Sequence, residues 1–106
     1  MTYKLFIDDE RYPPISWLDS TTIICRSSKE AIDCINERGL PEFISFDHDL
    51  GGDDTAMRVV NQLETLCCDY GMKFPESFAF TVHSQNPVGA RNINHKMAAL
   101  IDYFGE

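Results

Sequence analysis

Four short apolar runs, each closed by a polar cluster or a turn signal, set the rhythm of the chain. Residues 3–7 (Tyr-Lys-Leu-Phe-Ile) stop at Asp8-Asp9-Glu10, the pattern of a buried parallel strand whose carboxyl end opens into a polar loop. Pro13-Pro14 then exclude a long helix, because consecutive prolines remove amide donors and force their predecessors extended. The stretch to Trp17-Leu18 reads as an ordered loop or one short turn of helix, pinned by Trp17. Residues 21–26 (Thr-Thr-Ile-Ile-Cys-Arg) are β-branched and strand-like. Ser27-Ser28-Lys29-Glu30 matches a capping box, in which Ser27 and Glu30 satisfy each other's free amides. A helix follows to about Arg38, with Ala31, Cys34 and Ile35 on one face, Gly39 as its stop and Pro41 preventing resumption.

The alternation continues in the second half. Residues 43–46 (Phe-Ile-Ser-Phe) predict a third strand running into Asp47-His48-Asp49-Leu50-Gly51-Gly52. Asp53 or Asp54 is the expected cap of a helix that carries Met57, Val60, Leu63 and Cys67 at helical spacing and ends at Gly71. Residues 78–82 (Phe-Ala-Phe-Thr-Val) predict a fourth strand, and His83-Ser84-Gln85-Asn86 leads to Pro87, a residue favoured at a helix's first position. Ile93, Met97, Leu100, Ile101 and Phe104 supply the last helix's apolar stripe. Strands alternating with helices imply an α/β fold with a parallel sheet and right-handed crossovers. In such sheets ligands collect at the carboxyl ends of the strands, so the polar residues after each strand are the place to look for chemistry.

Length and charge narrow the function classes. At 106 residues the chain is read as one domain, residues 1–106, large enough to fold without a metal or disulfide. Its net charge of −8 opposes broad nucleic-acid binding, which depends on cations at the phosphates. No apolar run approaches the ~20 residues of a membrane span, and residues 1–5 show no signal-peptide hydrophobic region, so the expectation is a soluble, cytoplasmic protein with no membrane partner. The cysteines at 25, 34, 67 and 68 lack the pairing of a zinc site and are expected as buried thiols.

Three strands end in polar clusters: Asp8, Asp9 and Glu10; Asp47, His48 and Asp49; and His83, Ser84 and Asn86. Carboxylates gathered in a small space repel, so either one keeps its proton or a cation sits among them. Oxygen ligands from Asp8, Asp9 and Asp47, with a backbone carbonyl near Asp49 and waters, suit Mg²⁺ or Mn²⁺; His48 and His83 would admit a transition metal instead.

This arrangement resembles the receiver domain of two-component response regulators: an acidic pair after the first strand, an Asp after the third, a small polar residue after the fourth. The resemblance implies a flavodoxin-like sheet of four strands in order 2-1-3-4, lacking the receiver's fifth strand and its Lys. It assigns Asp8 and Asp9 to the metal-binding positions and Asp47 to the phospho-acceptor position, with His83 about where Thr or Ser is expected. More closely, Leu5-Phe6-Ile7-Asp8-Asp9-Glu10-Arg11-Tyr12-Pro13-Pro14, Phe46-Asp47-His48-Asp49-Leu50-Gly51 and His83-Ser84-Gln85-Asn86-Pro87-Val88-Gly89 resemble the signatures of the cyclic-phosphate-processing receiver domains.

That resemblance implies a phosphoesterase acting on cyclic or terminal phosphates of nucleotides or RNA ends. Opening a cyclic phosphodiester needs a base for water and an acid for the leaving oxygen, and imidazoles titrate near enough to neutrality for both. His48 and His83 are the candidate pair, with Asp47 or Asp49 orienting a ring. The amides around Val88 and Gly89 at the start of the last helix, together with Ser84, Asn86, Arg91 and Arg11, are the candidate phosphate contacts. His95 reads as part of a solvated helix face, and Tyr12 and Trp17 as loop-packing aromatics in preference to a platform for a base. The alternative is a non-catalytic, degenerate receiver that binds a phosphorylated nucleotide or protein partner. The sheet edge left by the missing strand, or the last helix, offers a surface for a homodimer.

Overall fold

The computed structural model describes residues 2–105. Its elements are β1 (Lys4–Ile7), a single 3₁₀ turn (Ile15–Trp17), β2 (Thr22–Cys25), α1 (Ser28–Arg38), β3 (Phe43–Phe46), α2 (Met57–Tyr70), β4 (Ala79–Val82) and α3 (Pro87–Phe104). The four strands form one parallel sheet in the order β2-β1-β3-β4, the receiver-like α/β arrangement the sequence predicts. Among the described residues no helix is long and apolar enough to cross a membrane.

Strand register explains where the core lies. Successive residues of a strand point to opposite faces, and the pairing aligns Leu5 with Ile23 and Ile44, and Ile7 with Cys25 and Phe46. Those side chains are in one core with Ala31 and Ile35 of α1, Val59, Val60 and Leu63 of α2, and Ile93 and Met97 of α3. Each large apolar side chain so buried contributes about 1.5–3 kcal/mol. All three helices therefore lie on the same face of the sheet.

The other face presents Phe6, Ile24, Phe43, Ser45 and Thr81, and among the described residues no helix covers it. The connection from β1 to β2 would have supplied such a helix, and Pro13-Pro14 forbid it. Only its 3₁₀ turn reaches over the sheet, where the Trp17 ring stands edge-on to Phe6 at 6.3 Å and to Phe43 at 4.9 Å.

Three local expectations need correction. Neither Asp53 nor Asp54 caps α2: the helix starts at Met57, its cap position is Ala56, and no side chain bonds there. Asp54 turns instead to the start of α1, accepting from the Ser28 amide at 2.8 Å and from the Ser28 hydroxyl. The capping box is also only half formed. Ser27 Oγ accepts from the Glu30 amide at 3.1 Å, but Glu30 Oε1 accepts from the Arg26 amide at 3.0 Å rather than from that of Ser27. Finally, Cys25 and Cys67 are buried, whereas Cys34 is half-buried and Cys68 exposed. Burial, aided by Cys34, pushes the Cys25 thiol up to about 12, which keeps it protonated and inert.

Candidate functional site

Beyond the last paired residues Ile7, Phe46 and Val82, the ladder continues for one more row. Asp8 N donates to Cys25 O at 3.1 Å, Asp47 N to Ile7 O at 2.9 Å and His83 N to Phe46 O at 2.9 Å. Asp8, Asp47 and His83 thus stand side by side at the carboxyl rim. Their oxygen and nitrogen ligand atoms all lie within 4.8 Å of one another.

Asp8 is fully buried and heavily engaged. Its Oδ1 accepts from the amides of Glu10 at 2.9 Å and Arg11 at 2.8 Å, and its Oδ2 bonds His83 Nε2 at 2.9 Å. Burial works to raise its pKa, but the Arg11 and Glu10 amides and the His83 ring together outweigh it, so Asp8 is held below the usual carboxylate value. On its other side, His83 Nδ1 bonds Ser45 Oγ at 2.7 Å, and Ser45 Oγ accepts from Thr81 Oγ1 at 3.2 Å. The His83 ring is stacked on Phe6 with centroids 4.9 Å apart and 6° between planes. A relay of Thr81, Ser45, His83 and Asp8 results, with one ring nitrogen of His83 bonded to Ser45 and the other to Asp8.

Asp47 is the contrast. It is 8% exposed, and among the described residues its carboxylate has no hydrogen-bond donor. Burial first, and the Asp8 charge second, hold its carboxyl above the usual value. A buried acid without donors beside a second acid is the donor set that a hard divalent cation relieves, so the residues present fit such an ion. His83, with both ring nitrogens engaged, fits better as the group that orients Asp8 than as a direct ligand.

A second Asp–His pair follows Asp47 in the chain. His48 Nδ1 bonds Asp49 Oδ1 at 2.8 Å, and Asn86 Nδ2 reaches both Asp49 oxygens at 3.4 Å. The His48 hydrogen bond lowers the Asp49 pKa against a smaller opposing effect of desolvation. With the proton of His48 on Nδ1, its Nε2 keeps a lone pair; that atom has no protein donor and is not sealed from solvent. The ring rests directly on Gly89 of α3, where a Cβ would come within 2.3 Å of His48 Cγ.

Two cavities open on this rim. The first, about 460 Å³, is bordered by Asp9, Glu10, Arg11, Asp47, Asp49, Ser84 and Asn86. Arg11 is its only basic wall residue, and Arg11 Nε stands 4.0 Å from Asp8 Oδ2. The second, about 440 Å³, lies on the helix-free face and is walled by Phe6, Tyr12, Trp17 and Phe43, with His83 toward the rim and Arg11 shared with the first.

The candidate residues are accordingly sorted. Asp8, Asp47 and His83 form the tight group, while Asp9 and Asp49 border the acidic cavity outside it. His48 borders neither cavity, and His83 borders the aromatic one. Ser84 Oγ accepts from the Asn86 amide at 3.0 Å, and Asn86 caps α3 by accepting from the Gly89 amide at 3.0 Å. The Gly89 amide is thereby consumed by its cap. Arg91 is exposed on α3 away from both cavities, and His95 is exposed on the same helix.

A family model described as the cyclic-phosphate processing receiver domain matches residues 3–99. The chain belongs to that family. No curated protein and no solved structure matches it. Within this receiver-like domain, three residues escape a reading of the sequence alone. Ser45 and Thr81 are polar residues set two positions before Asp47 and His83, hence on the same strand face, a period-2 signal that could have found them. Arg26 follows β2 and staples the site loop, its Nη1 donating to Asp8 O at 3.1 Å and to Arg11 O, with its guanidinium 4.7 Å from the Tyr12 ring centre. Nothing in local sequence announces that contact.

Proposed function

We propose that this receiver-like domain is a phosphoesterase that opens or removes cyclic or terminal phosphates on nucleotides or RNA ends. The observation that carries the reading is the donor-poor, protonation-prone Asp47 set against the buried Asp8 carboxylate at the strand rim. The acidic cavity has four carboxylates in its wall, from Asp9, Glu10, Asp47 and Asp49, against one guanidinium. An anionic phosphate enters such a cavity only with a counter-charge. Asp8 and Asp47 would hold Mg²⁺ or Mn²⁺, which supplies charge neutralisation at the phosphate oxygens.

The chain's own groups divide the remaining work. Arg11 pairs with a phosphate oxygen from the open side, and the Asn86 cap fixes the start of α3 beneath His48. His48, held by Asp49 with Nε2 open and outside the acidic cavity's wall, takes the proton from the attacking water by way of a second water. His83, fixed between Asp8 and Ser45, holds the Asp8 carboxylate in register, and as an imidazolium it serves as the acid by exchanging its Nε2 bond to Asp8 for one to the leaving oxygen, which takes the proton.

One observation favours a second reading, a non-catalytic receiver that binds a phosphorylated ligand or partner: both His83 nitrogens are already bonded within the protein. Incubation with 2′,3′-cyclic, 3′,5′-cyclic and linear phosphates, with and without Mg²⁺ or Mn²⁺ and read by chromatography, separates the two. Metal-dependent conversion of a cyclic phosphate supports the enzyme. Saturable binding of a phosphate with no conversion under any condition supports the module.

A further inference from the structure

The aromatic cavity on the helix-free face is not used by the chemistry above, yet it adjoins that chemistry closely. Phe6, Ser45 and Thr81 form one row of the sheet, and Asp8, Asp47 and His83 form the row two residues further on, pointing to the same face. The rows are about 6.6 Å apart along the strands. One ribose separates a nucleobase from its phosphate by a comparable span. Arg11 and His83 join the two rows: Arg11 borders both cavities, and the His83 ring lies on Phe6 while its Nε2 bonds Asp8.

The walls suit a flat heteroaromatic ring. Rings of Phe6, Tyr12, Trp17 and Phe43 line an open cleft of about 440 Å³ that no side chain of the fold fills, a volume in the usual range for small-ligand sites. Tyr12 is 73% exposed, so it is not there as core, yet its loop is held in place by Arg26 through two backbone carbonyls and the ring itself. An exposed aromatic on a pre-ordered loop stacks on a ligand with little loss of freedom. The hydroxyl of Thr81, whose proton goes to Ser45 Oγ, keeps lone pairs that can accept from an amino group on the edge of a base.

We infer that this cavity is a base-recognition subsite, taking the purine or pyrimidine ring of a mononucleotide whose phosphate sits at the acidic row; the inference rests on the phosphoester reading. A mononucleotide is the occupant because the net charge of −8 repels the further phosphates of a long chain.

Trp17 is the only tryptophan and stands in the cavity wall, so its fluorescence reports the subsite directly. The protein with Mg²⁺ is titrated with adenosine 3′-monophosphate, adenosine, ribose 5-phosphate, inorganic phosphate and a short oligoribonucleotide. Expected are saturable quenching by the nucleotide, weaker quenching by adenosine and none by the two base-free phosphates. Tyr12→Ala weakens nucleotide binding about 5- to 150-fold, the worth of one stacked base, and leaves inorganic phosphate binding by calorimetry unchanged. Absence of quenching by both base-bearing ligands overturns the subsite, as does a Tyr12→Ala loss equal for nucleotide and phosphate. An oligoribonucleotide that binds tighter than the mononucleotide overturns the choice of occupant. Failure of the phosphoester reading looks different: both base-free phosphates fail to bind while adenosine quenches as well as the nucleotide, which retains the base subsite.

Discussion

Replacing Asp47 by Asn removes one charge from the acidic row and keeps the shape of the side chain. Ligand atoms of Asp47 and Asp8 lie within 4.8 Å, and two carboxylates at that separation repel by about 3.5 kcal/mol at an effective dielectric constant of about 20. His83 and Arg11 oppose the repulsion and water at the rim screens it, so a net gain of about 1–2 kcal/mol is expected for Asp47→Asn at neutral pH without metal. For a domain of this size that is a rise of about 4–10 °C in Tm. The sign with pH comes from the raised pKa of Asp47. The native state holds that proton more tightly than the unfolded chain, so wild-type stability falls as pH rises from the ordinary carboxylate value of 3.8 through the folded one. The advantage of Asn is therefore largest at neutral pH and vanishes below the ordinary value. Mg²⁺ reverses the ranking by stabilising the wild type more than the variant. Thermal unfolding by circular dichroism, at neutral and acidic pH with Mg²⁺ or with a chelator, reads all of this. A variant less stable than wild type at neutral pH without metal, or equal stabilisation of both by Mg²⁺, would refute the reasoning.

The remaining contacts carry expectations of their own. His48→Ala lowers turnover of a cyclic phosphate by about 10²–10⁴-fold with folding intact, as for loss of a positioned base; unchanged rates in steady-state assays would remove His48 from the mechanism. His83→Ala weakens Mg²⁺ binding by about 10–100-fold through release of Asp8, measured by calorimetry, whereas a pure acid role would leave the metal affinity untouched. Gly89→Ala drives a methyl group to within 2.3 Å of the His48 ring, so turnover falls together with a cost of about 1–3 kcal/mol in urea unfolding. Asp54→Ala costs about 1–2 kcal/mol in the same assay because the Ser28 amide and hydroxyl lose their acceptor, and an unchanged midpoint would show water replacing it.

The strands and helices were legible because their signals are local. Short apolar runs mark the strands, and Pro87 and Gly71 punctuate the helices where the structure places their ends. The rim was legible for a physical reason as well: a parallel sheet exposes the residues just past the end of each strand, so the three clusters that contain Asp8, Asp47 and His83 stand out together, although not which member of each points inward. Side choice was not read, although its ingredients were present. Pro13-Pro14 deny a helix between β1 and β2, which leaves the face of Phe6, Ser45 and Thr81 uncovered, and period 2 then joins Ser45 to Asp47 and Thr81 to His83. Asp54 escapes a local capping rule because its partner Ser28 is 26 residues away, and such a rule sees only the nearer helix. Arg26 was invisible for the same reason: its contacts with Asp8, Arg11 and Tyr12 depend on β2 lying beside β1.

In the proposed chemistry Asp8 and Asp47 bring a divalent cation to a cyclic phosphate and His48 and His83 turn it over. Phosphorus NMR of a nucleoside 2′,3′-cyclic phosphate mixed with the protein tests it most directly, run with Mg²⁺, with a chelator, and with Asp47→Asn in place of the wild type. The expected result is that the cyclic resonance gives way to that of a phosphate monoester only for wild type with Mg²⁺. A cyclic resonance that persists unchanged in all three samples contradicts it, as does conversion at equal rates with the chelator.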